Sequence, residues 1–237
     1  MAERTHNDDA RREMLAAIRR HLAASAPFDA VREEHHAGHG GATGKGRVIE
    51  AVREPEASPV ERFGRALEAV AGRCVVARDV AAAAEAVSEI FAAKKARRVA
   101  VSDSELARRV LALADADVEL VEDAAAADLF HCDVGVTGAQ WAVAETGTLV
   151  LEAESERHRL ASLVPPVHVA VVGAGSVRQT LAEVLGTLGE RGRDALSRTV
   201  TFVTGPSRTS DIELTLAIGV HGPGELYVVI IEGEGHD

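Results

Sequence analysis

A polar segment directly after an apolar run is the strongest candidate for a ligand-binding site in this chain. The run 200–204 predicts a buried strand, which Gly205 and Pro206 end abruptly. The segment 205–213 then presents hydroxyls and one guanidinium at the carboxyl end of that strand, the edge where open α/β sheets bind ligands. Arg208 carries a planar fork that matches a carboxylate or a phosphate, so the predicted chemistry is anion capture. The candidate ligand-binding residues here are Ser207, Arg208, Thr209 and Asp211.

The same segment has a purely structural interpretation. Its Ser, Thr and Asp residues are also typical of a turn that caps a following helix, with Arg208 in a surface ion pair. No Gly-Lys-Ser/Thr follows, so the spacing is not that of a Walker A loop.

A lone carboxylate, Glu145, stands in the otherwise apolar stretch 135–151, immediately before a Thr-Gly turn. Burial there would raise its pKa and an adjacent cation would lower it, which makes Glu145 a candidate base, nucleophile or ligand contact. The alternative is an exposed Glu at a hairpin tip, with Trp141 as ordinary core. The candidate ligand-binding residues of this stretch are Thr137, Thr146, Gly147 and Thr148.

Two histidines complete the candidate site, and we predict that Glu145, Arg208 and His221 line one cleft, because all three adjoin strands at glycine-rich loops. His168 follows a Pro-Pro pair and lies early in the apolar run 167–172, where it is either a ligand contact or a hydrogen-bonded core residue. His221 and Gly222 belong to a glycine-rich turn ahead of the last predicted strand. That turn can bring an imidazole and bare N–H groups to a ligand, although a tight turn explains its glycines equally well.

Other motifs are weaker. The stretch 172–178 contains Gly173 and Gly175 between a strand and a helix, but Arg178 stands where a dinucleotide fingerprint needs glycine. The histidines at 35, 36 and 39 lie in a segment with no apolar period, so solvated histidines are a better interpretation than a metal site. We therefore predict no metal ligands.

Apolar runs alternate with helical patterns from Ser58 onward, where Ser58, Pro59 and Glu61 form a capping box. The alternation predicts an α/β fold, a mainly parallel sheet flanked by helices. The predicted strands are 74–77, 99–101, 118–121, 148–151, 167–172, 200–203 and 226–231. The predicted helices after the capping box are 80–96, 104–114 and 176–188.

The amino-terminal quarter differs in character. Apolar residues at helical spacing predict an amphipathic helix over 10–24, within a segment 1–26, and the Gly- and His-rich stretch 27–57 predicts a mobile linker. Residues 58–237 then form the α/β domain.

The amino-acid composition limits which binding partners and cofactors are expected. The formal charge of −11 argues against nucleic acid and anionic membranes. The chain has 2 cysteines, too few for an iron–sulfur cluster or a four-cysteine zinc site of its own. No apolar run approaches the length of a membrane span and the start has no secretory pattern, so a cytoplasmic location is expected.

The order of the clusters resembles a known family. Ala144 to Thr148, the Pro-Pro-Val-His run, 205–213 and the Val-His-Gly-Pro run look like the lactate utilisation protein C family, the LUD domain, over residues 58–232. The resemblance implies a fold similar to ribose-5-phosphate isomerase and the CoA transferases. It also implies a role in oxidising L-lactate to pyruvate beside partner subunits that carry the iron–sulfur clusters, with none held by this chain.

Two functional hypotheses follow from the resemblance. In the first, the chain is an accessory subunit of a lactate-oxidising assembly and Arg208 binds a small carboxylate or phosphate. In the second, it is an independent enzyme similar to the isomerases or acyl transferases of that fold, with Glu145 as base or nucleophile. A third interpretation is that the clusters only hold the end of the sheet together. The sequence leaves open a homo-oligomer.

Overall fold

The computed structural model describes Ala16 and residues 57–122, 125–153, 159–191, 195, 197–212, 215–219 and 221–234. The helix predicted at 10–24 and the linker predicted at 27–57 lie outside these residues, apart from Ala16 and Ala57, and stay predictions.

The first described helix, α1, begins as its capping box predicts. The Ser58 hydroxyl accepts from the Glu61 N–H at 3.2 Å, and the Glu61 carboxylate accepts from the Ser58 N–H at 2.8 Å. These bonds satisfy two of the N–H groups that a helix start leaves unpaired. The helix buries Phe63 and Leu67 completely.

The order of the remaining elements follows the predicted alternation up to residue 121, and the helix at 126–129 and the strands at 134–137 and 141–143 were not predicted. The helices are α1 (Pro59–Ala69), α2 (Val80–Lys94), α3 (Glu105–Leu113), α4 (Ala126–Leu129) and α5 (Leu181–Glu190). The strands are β1 (Arg73–Ala77), β2 (Arg98–Val101), β3 (Glu119–Val121), β4 (Val134–Thr137), β5 (Trp141–Val143), β6 (Thr148–Glu152), β7 (Val167–Gly173), β8 (Val177–Arg178), β9 (Val200–Thr204), β10 (Arg208–Ile212), β11 (Thr215–Ile218) and β12 (Glu225–Ile231).

A six-stranded sheet with the order β1-β12-β7-β4-β2-β3 forms the centre, and all of its neighbours pair in parallel. Two of its inner strands, β7 and β12, pair over their whole length, with β7 pairing from Val167 to Gly173. Every residue of β7 is buried, which explains why its sequence is apolar except for His168, because helices or a second sheet cover both faces. The predicted α/β class, a mainly parallel sheet flanked by helices, is confirmed.

The chain packs in layers on the two faces of this sheet. The helices α2 and α3 cover one face, against side chains such as Val169 and Val229. The helix α1 and a second sheet cover the other face, against Ala170 and Val228. The helix α5 packs on the far side of the second sheet, against Trp141.

The second sheet corrects the sequence prediction. Residues 148–151 and 200–203 are strands, as predicted, but they do not belong to the parallel sheet. They lie in a four-stranded sheet with the order β8-β5-β6-β9, in which β6 pairs antiparallel with both β5 and β9. The strand β9 is also only partly buried, with Phe202 43% exposed. A short apolar run suits either kind of sheet, so its partner is not readable from its composition.

Two boundaries also differ from prediction. The helix predicted at 176–188 begins at Leu181, because residues 174–178 form a 3₁₀ turn followed by β8. Residues 208–212 form β10, which pairs antiparallel with β11. The segment after 205 therefore caps no helix, and that structural interpretation of the segment is wrong.

None of the helices in the described part of the chain is long and apolar enough to cross a membrane.

Candidate functional site

A cavity of about 210 Å³ lies where the end of β9 meets the starts of β7 and β12. We call it the histidine cavity; His168, Thr204, Ser207, His221, Gly222 and Leu226 are among its lining residues. His168 and Leu226 are the second residues of β7 and β12, so the cavity is at the amino ends of the parallel strands. The segment from 205 follows the carboxyl end of β9, as predicted, but β9 belongs to the second sheet, so the cavity is not at the carboxyl ends of the parallel strands.

His168 is the central polar group of this cavity. Its side chain is 1% exposed, and its Nε2 lies 2.8 Å from the hydroxyl of the buried Thr137. That hydroxyl donates its single hydrogen to the carbonyl of Gly138 at 2.9 Å. With that hydrogen on Gly138, Thr137 accepts from His168, which favours the tautomer with the proton on Nε2 and Nδ1 as an acceptor.

The acceptor atom is unsatisfied. Among the described residues, His168 Nδ1 is a buried side-chain atom with no hydrogen-bond partner. Burial lowers the pKa of His168 from 6.5 to about 4, so the ring is neutral at pH 7. A buried polar atom without a partner costs about 1–3 kcal/mol, and a bound ligand that donates a hydrogen would remove this cost.

Main-chain hydrogen bonds hold the loop that faces His168. The N–H of Ser207 donates to the carbonyl of Pro223 at 2.8 Å, and the N–H of Gly219 donates to the carbonyl of Ser207 at 2.9 Å. A Cβ on Gly222 would lie 3.2 Å from the Cβ of Ser207, so glycine permits the close approach. His221 is exposed at the cavity lining.

The Thr-Gly turn at Thr146 and Gly147 mainly stabilises the second sheet and its packing on α1. A chain of hydroxyls runs from Thr146 to Thr148 at 2.7 Å and from Thr148 to Thr204 at 2.8 Å, and Thr204 lines the histidine cavity. Gly147 has a φ of +65°, and a Cβ there would lie 2.4 Å from the backbone nitrogen of Leu67 in α1. The glycine is therefore needed for the packing of the β5–β6 turn on α1.

Glu145 is exposed and acts as a cap. Its carboxylate accepts from the N–H of Leu181, the first residue of α5, at 2.7 Å. A carboxylate at this end of a helix also interacts favourably with the helix dipole. The described residues that line the histidine cavity do not include Glu145. The structure therefore separates it from His221, with which we predicted a shared cleft.

Arg208 lines a second cavity of about 290 Å³, beside the first. We call it the cationic cavity, because Arg73, Lys94 and Arg208 are all in its lining. The two cavities share Pro206 and Leu226. One Nη of Arg208 donates to the carbonyl of Val70, at the end of α1, at 2.9 Å.

The structure thus brings four of the predicted site residues to one cavity: His168, Ser207, His221 and Gly222. Thr137 joins them through its bond to His168, and Thr148 through Thr204. Thr209 and Asp211 are residues of β10, in the hairpin with β11. Sequence reasoning missed Thr204, Arg73 and Lys94, because no local motif marks the end of β9, the start of β1 or the end of α2.

The described residues contain no group of three His, Cys, Asp or Glu side chains able to hold a metal ion. Both cysteines are free thiols, and burial raises the pKa of Cys74 to about 11.

A parallel sheet with helices on both faces defines a protein of the α/β class. Within that class the chain belongs to the LUD domain family, whose sequence model matches residues 60–231. The family resemblance predicted from the sequence is confirmed.

Several relatives are similar over about half of their length. An uncharacterized protein of Neisseria meningitidis serogroup B is 36% identical over 127 residues, 51% of this chain and 54% of that protein. A protein named Lactate utilization protein C from Deinococcus radiodurans is 38% identical over 106 residues, 44% of this chain and 49% of that protein. One of the same name from Bacillus licheniformis is 33% identical over 104 residues, 43% of each chain.

A solved structure shares the fold. The crystal structure of a DUF162 family protein from Deinococcus radiodurans matches with a TM-score of 0.56 and 21% identity, over 73% of this chain and 96% of that chain. At this identity the likeness establishes the fold alone.

Proposed function

We propose that this chain is a ligand-binding subunit of a lactate-utilisation system, and that its histidine cavity binds a small 2-hydroxy carboxylate such as L-lactate. Membership of the LUD domain family supports the process, as do the relatives named Lactate utilization protein C. Those relatives match this chain over only about half of their length, so we propose the role in lactate utilisation for this chain and do not infer it from the relatives' names alone.

The choice of ligand rests on one observation: the acceptor atom Nδ1 of His168 has no hydrogen-bond partner among the described residues. L-lactate has a hydroxyl that can donate to this atom, whereas pyruvate has a carbonyl in its place and only acceptors. A neutral histidine whose free nitrogen is an acceptor therefore favours the hydroxy acid over the oxo acid. The hydroxyls of Thr204 and Ser207 can donate to the carboxylate, and the neighbouring cationic cavity adds a positive potential.

We propose that the electrons of lactate leave through partner subunits that hold iron–sulfur clusters. The chain has 2 cysteines, whereas a cluster is usually held by four thiolates. Its own part is then to bind the substrate and present it to the assembly.

The alternative of an independent enzyme with Glu145 as base or nucleophile finds no support in the site. The carboxylate of Glu145 is bonded to the first N–H of α5 and lies outside the lining of both cavities. We therefore do not retain Glu145 as a catalytic candidate.

Calorimetric titration of the purified chain with L-lactate and with pyruvate tests the proposal. We expect L-lactate to bind about tenfold more tightly than pyruvate, the value of one buried hydrogen bond. His168→Gln keeps an amide N–H near the position of Nε2 and removes the acceptor at Nδ1, so it should abolish the preference. Glu145→Gln is the matched control and should leave both affinities unchanged.

Two results would contradict this proposal: L-lactate bound equally well by the His168→Gln variant, or equal binding of the two acids by the unaltered chain. The partner proposal is tested separately, by recovering the tagged chain from cells grown on L-lactate and measuring iron. Iron in the recovered complex and not in the chain alone is the expected result, and a complex without iron would overturn it.

A further inference from the structure

The cationic cavity contains a cluster of charged side chains that do not line the histidine cavity. Three cationic side chains line it, those of Arg73, Lys94 and Arg208, and Glu225 is an anionic residue in the same lining. These residues come from β1, the last turn of α2, β10 and β12, so only the folded chain assembles them.

Glu225 organises two of the cations. Its carboxylate accepts from Lys94 Nζ through both oxygens at 2.6 Å and lies 3.4 Å from the guanidinium of Arg73. The Tyr227 hydroxyl also donates to it, at 3.0 Å. These contacts lower the pKa of Glu225, chiefly through Lys94, so the carboxylate is charged at pH 7.

The ring of Tyr227 provides a wall for the same two cations. The guanidinium carbon of Arg73 lies 5.1 Å from the ring centroid and Lys94 Nζ lies 5.6 Å from it. Both distances are within cation–π range. The Arg73 guanidinium also donates to the Tyr227 hydroxyl. The positions of the charges are thus held by contacts within the protein before any ligand arrives.

The cluster keeps an excess of positive charge. Three cations and one carboxylate leave a formal charge of about +2, which matches a phosphate monoester at about −1.5 to −2 near pH 7. The side chain of Arg73 is 63% exposed, so an anion from solvent can reach it. For the guanidinium of Arg208, the bond to Val70 is the one hydrogen bond seen among the described residues, and a guanidinium has five N–H donors.

We propose that the cationic cavity is a binding site for the phosphate group of a small phosphate monoester, with Arg73 and Arg208 as the residues that contact the phosphate and Lys94 as the positioning charge. A cavity of about 290 Å³ is at the lower end of the size range of small-molecule sites, which suits a small phosphorylated compound. The two arginine forks match phosphate oxygens in a bidentate manner. This site is separate from the lactate proposal, because the described lining of the cationic cavity does not include His168.

The test is calorimetric titration of the full chain with inorganic phosphate and with glycerol 3-phosphate at low salt. We expect both probes to bind, and Arg208→Gln and Arg73→Gln each to weaken binding about tenfold or more, the value of a charge-assisted hydrogen bond. Arg208→Lys keeps the charge but loses the fork, so it should also weaken binding. Thermal melting of each variant shows that it is folded.

Arg97→Gln is the matched control, because it removes the same charge from an exposed position outside the lining of the cationic cavity. It should leave the affinity within about twofold, as expected of a screened surface charge. Equal weakening by Arg97→Gln and Arg208→Gln would overturn the proposal, since binding would then reflect net charge alone. Absence of binding by both probes would overturn it as well.

The His168→Gln variant separates this proposal from the lactate proposal. It should lose the preference for L-lactate and keep its affinity for phosphate. Loss of phosphate binding in this variant would contradict a separate phosphate site, whatever the result with L-lactate.

Discussion

At the scale of single residues, one hydroxyl decides what His168 can do. Thr137 uses its hydrogen on Gly138, so it accepts from Nε2 and leaves the free nitrogen of the ring as an acceptor. The local run around His168 predicted either a ligand contact or a hydrogen-bonded core histidine. Its tautomer depends on Thr137, 31 residues earlier, and no sequence pattern reports such a bond.

The substitution Thr137→Val should remove the hydrogen bond that favours the Nε2–H tautomer of His168. The variant leaves a buried Nε2–H unsatisfied, so the free energy of unfolding should fall by about 1–3 kcal/mol. The nitrogen chemical shifts of the His168 ring should move away from those of a pure Nε2–H tautomer, which a loss of packing alone would not cause. Urea denaturation and nitrogen NMR measure the two effects.

Thr187→Val is the control for that substitution. Thr187 is exposed on α5, and among the described residues its hydroxyl bonds to the Glu183 carbonyl alone, so its loss should change stability by less than about 0.5 kcal/mol. An equal loss in both variants would show that Thr137 has no special role.

At the scale of elements, close packing of β5–β6 on α1 depends on one glycine. Gly147→Ala would put a Cβ 2.4 Å from Leu67 N at a φ of +65°, so we expect destabilisation of about 1–3 kcal/mol or more. Gly186→Ala in α5 is the control, since nothing lies within 4 Å of its Cβ. Alanine there should stabilise the chain by about 0.5–1 kcal/mol. In urea denaturation the free energy of unfolding should therefore fall for Gly147→Ala and rise for Gly186→Ala. An unchanged free energy of unfolding for Gly147→Ala would show that α1 and the turn can separate.

A comparison of the observed elements with the predicted ones shows which of them could be predicted from the sequence. The capping box of α1 and five strands of the parallel sheet were predictable, because their signals are local: a four-residue pattern, or a short apolar run. The strand β4 was not predicted. The pairing of β6 with β9 was not, because it joins Thr148 to Thr204 across 56 residues. The cationic cavity was hidden for the same reason, since Arg73 and Glu225 meet only after β1 has paired with β12.

At the scale of the whole molecule, the neutral His168 makes stability depend on pH. The pKa of this group is about 4 in the folded chain and about 6.5 when unfolded, so the unfolded state binds more protons between these values. The stability contributed by His168 is complete above about pH 6.5 and is lost as the pH falls toward 4. Within that window its slope approaches about 1.4 kcal/mol per pH unit.

The His168→Gln variant isolates this contribution from carboxylates such as Glu225, whose lowered pKa acts in the same direction at acid pH. Urea denaturation at pH 7 and pH 5 should show a smaller loss of stability in the variant than in the unaltered chain. An equal loss in both would mean that His168 titrates normally.

The two ends of the β10–β11 hairpin are joined by main-chain hydrogen bonds at Ser207, Gly219 and Pro223. Ser207 bonds to Pro223 and accepts from Gly219, so three main-chain positions tie the base of the hairpin to the cavity wall. Since both of these bonds use backbone atoms, a substitution of Ser207 that keeps its backbone conformation leaves the junction intact. For protein engineering, Ser207 is therefore a position where the side chain offered to the ligand can be changed while the cavity wall stays in place.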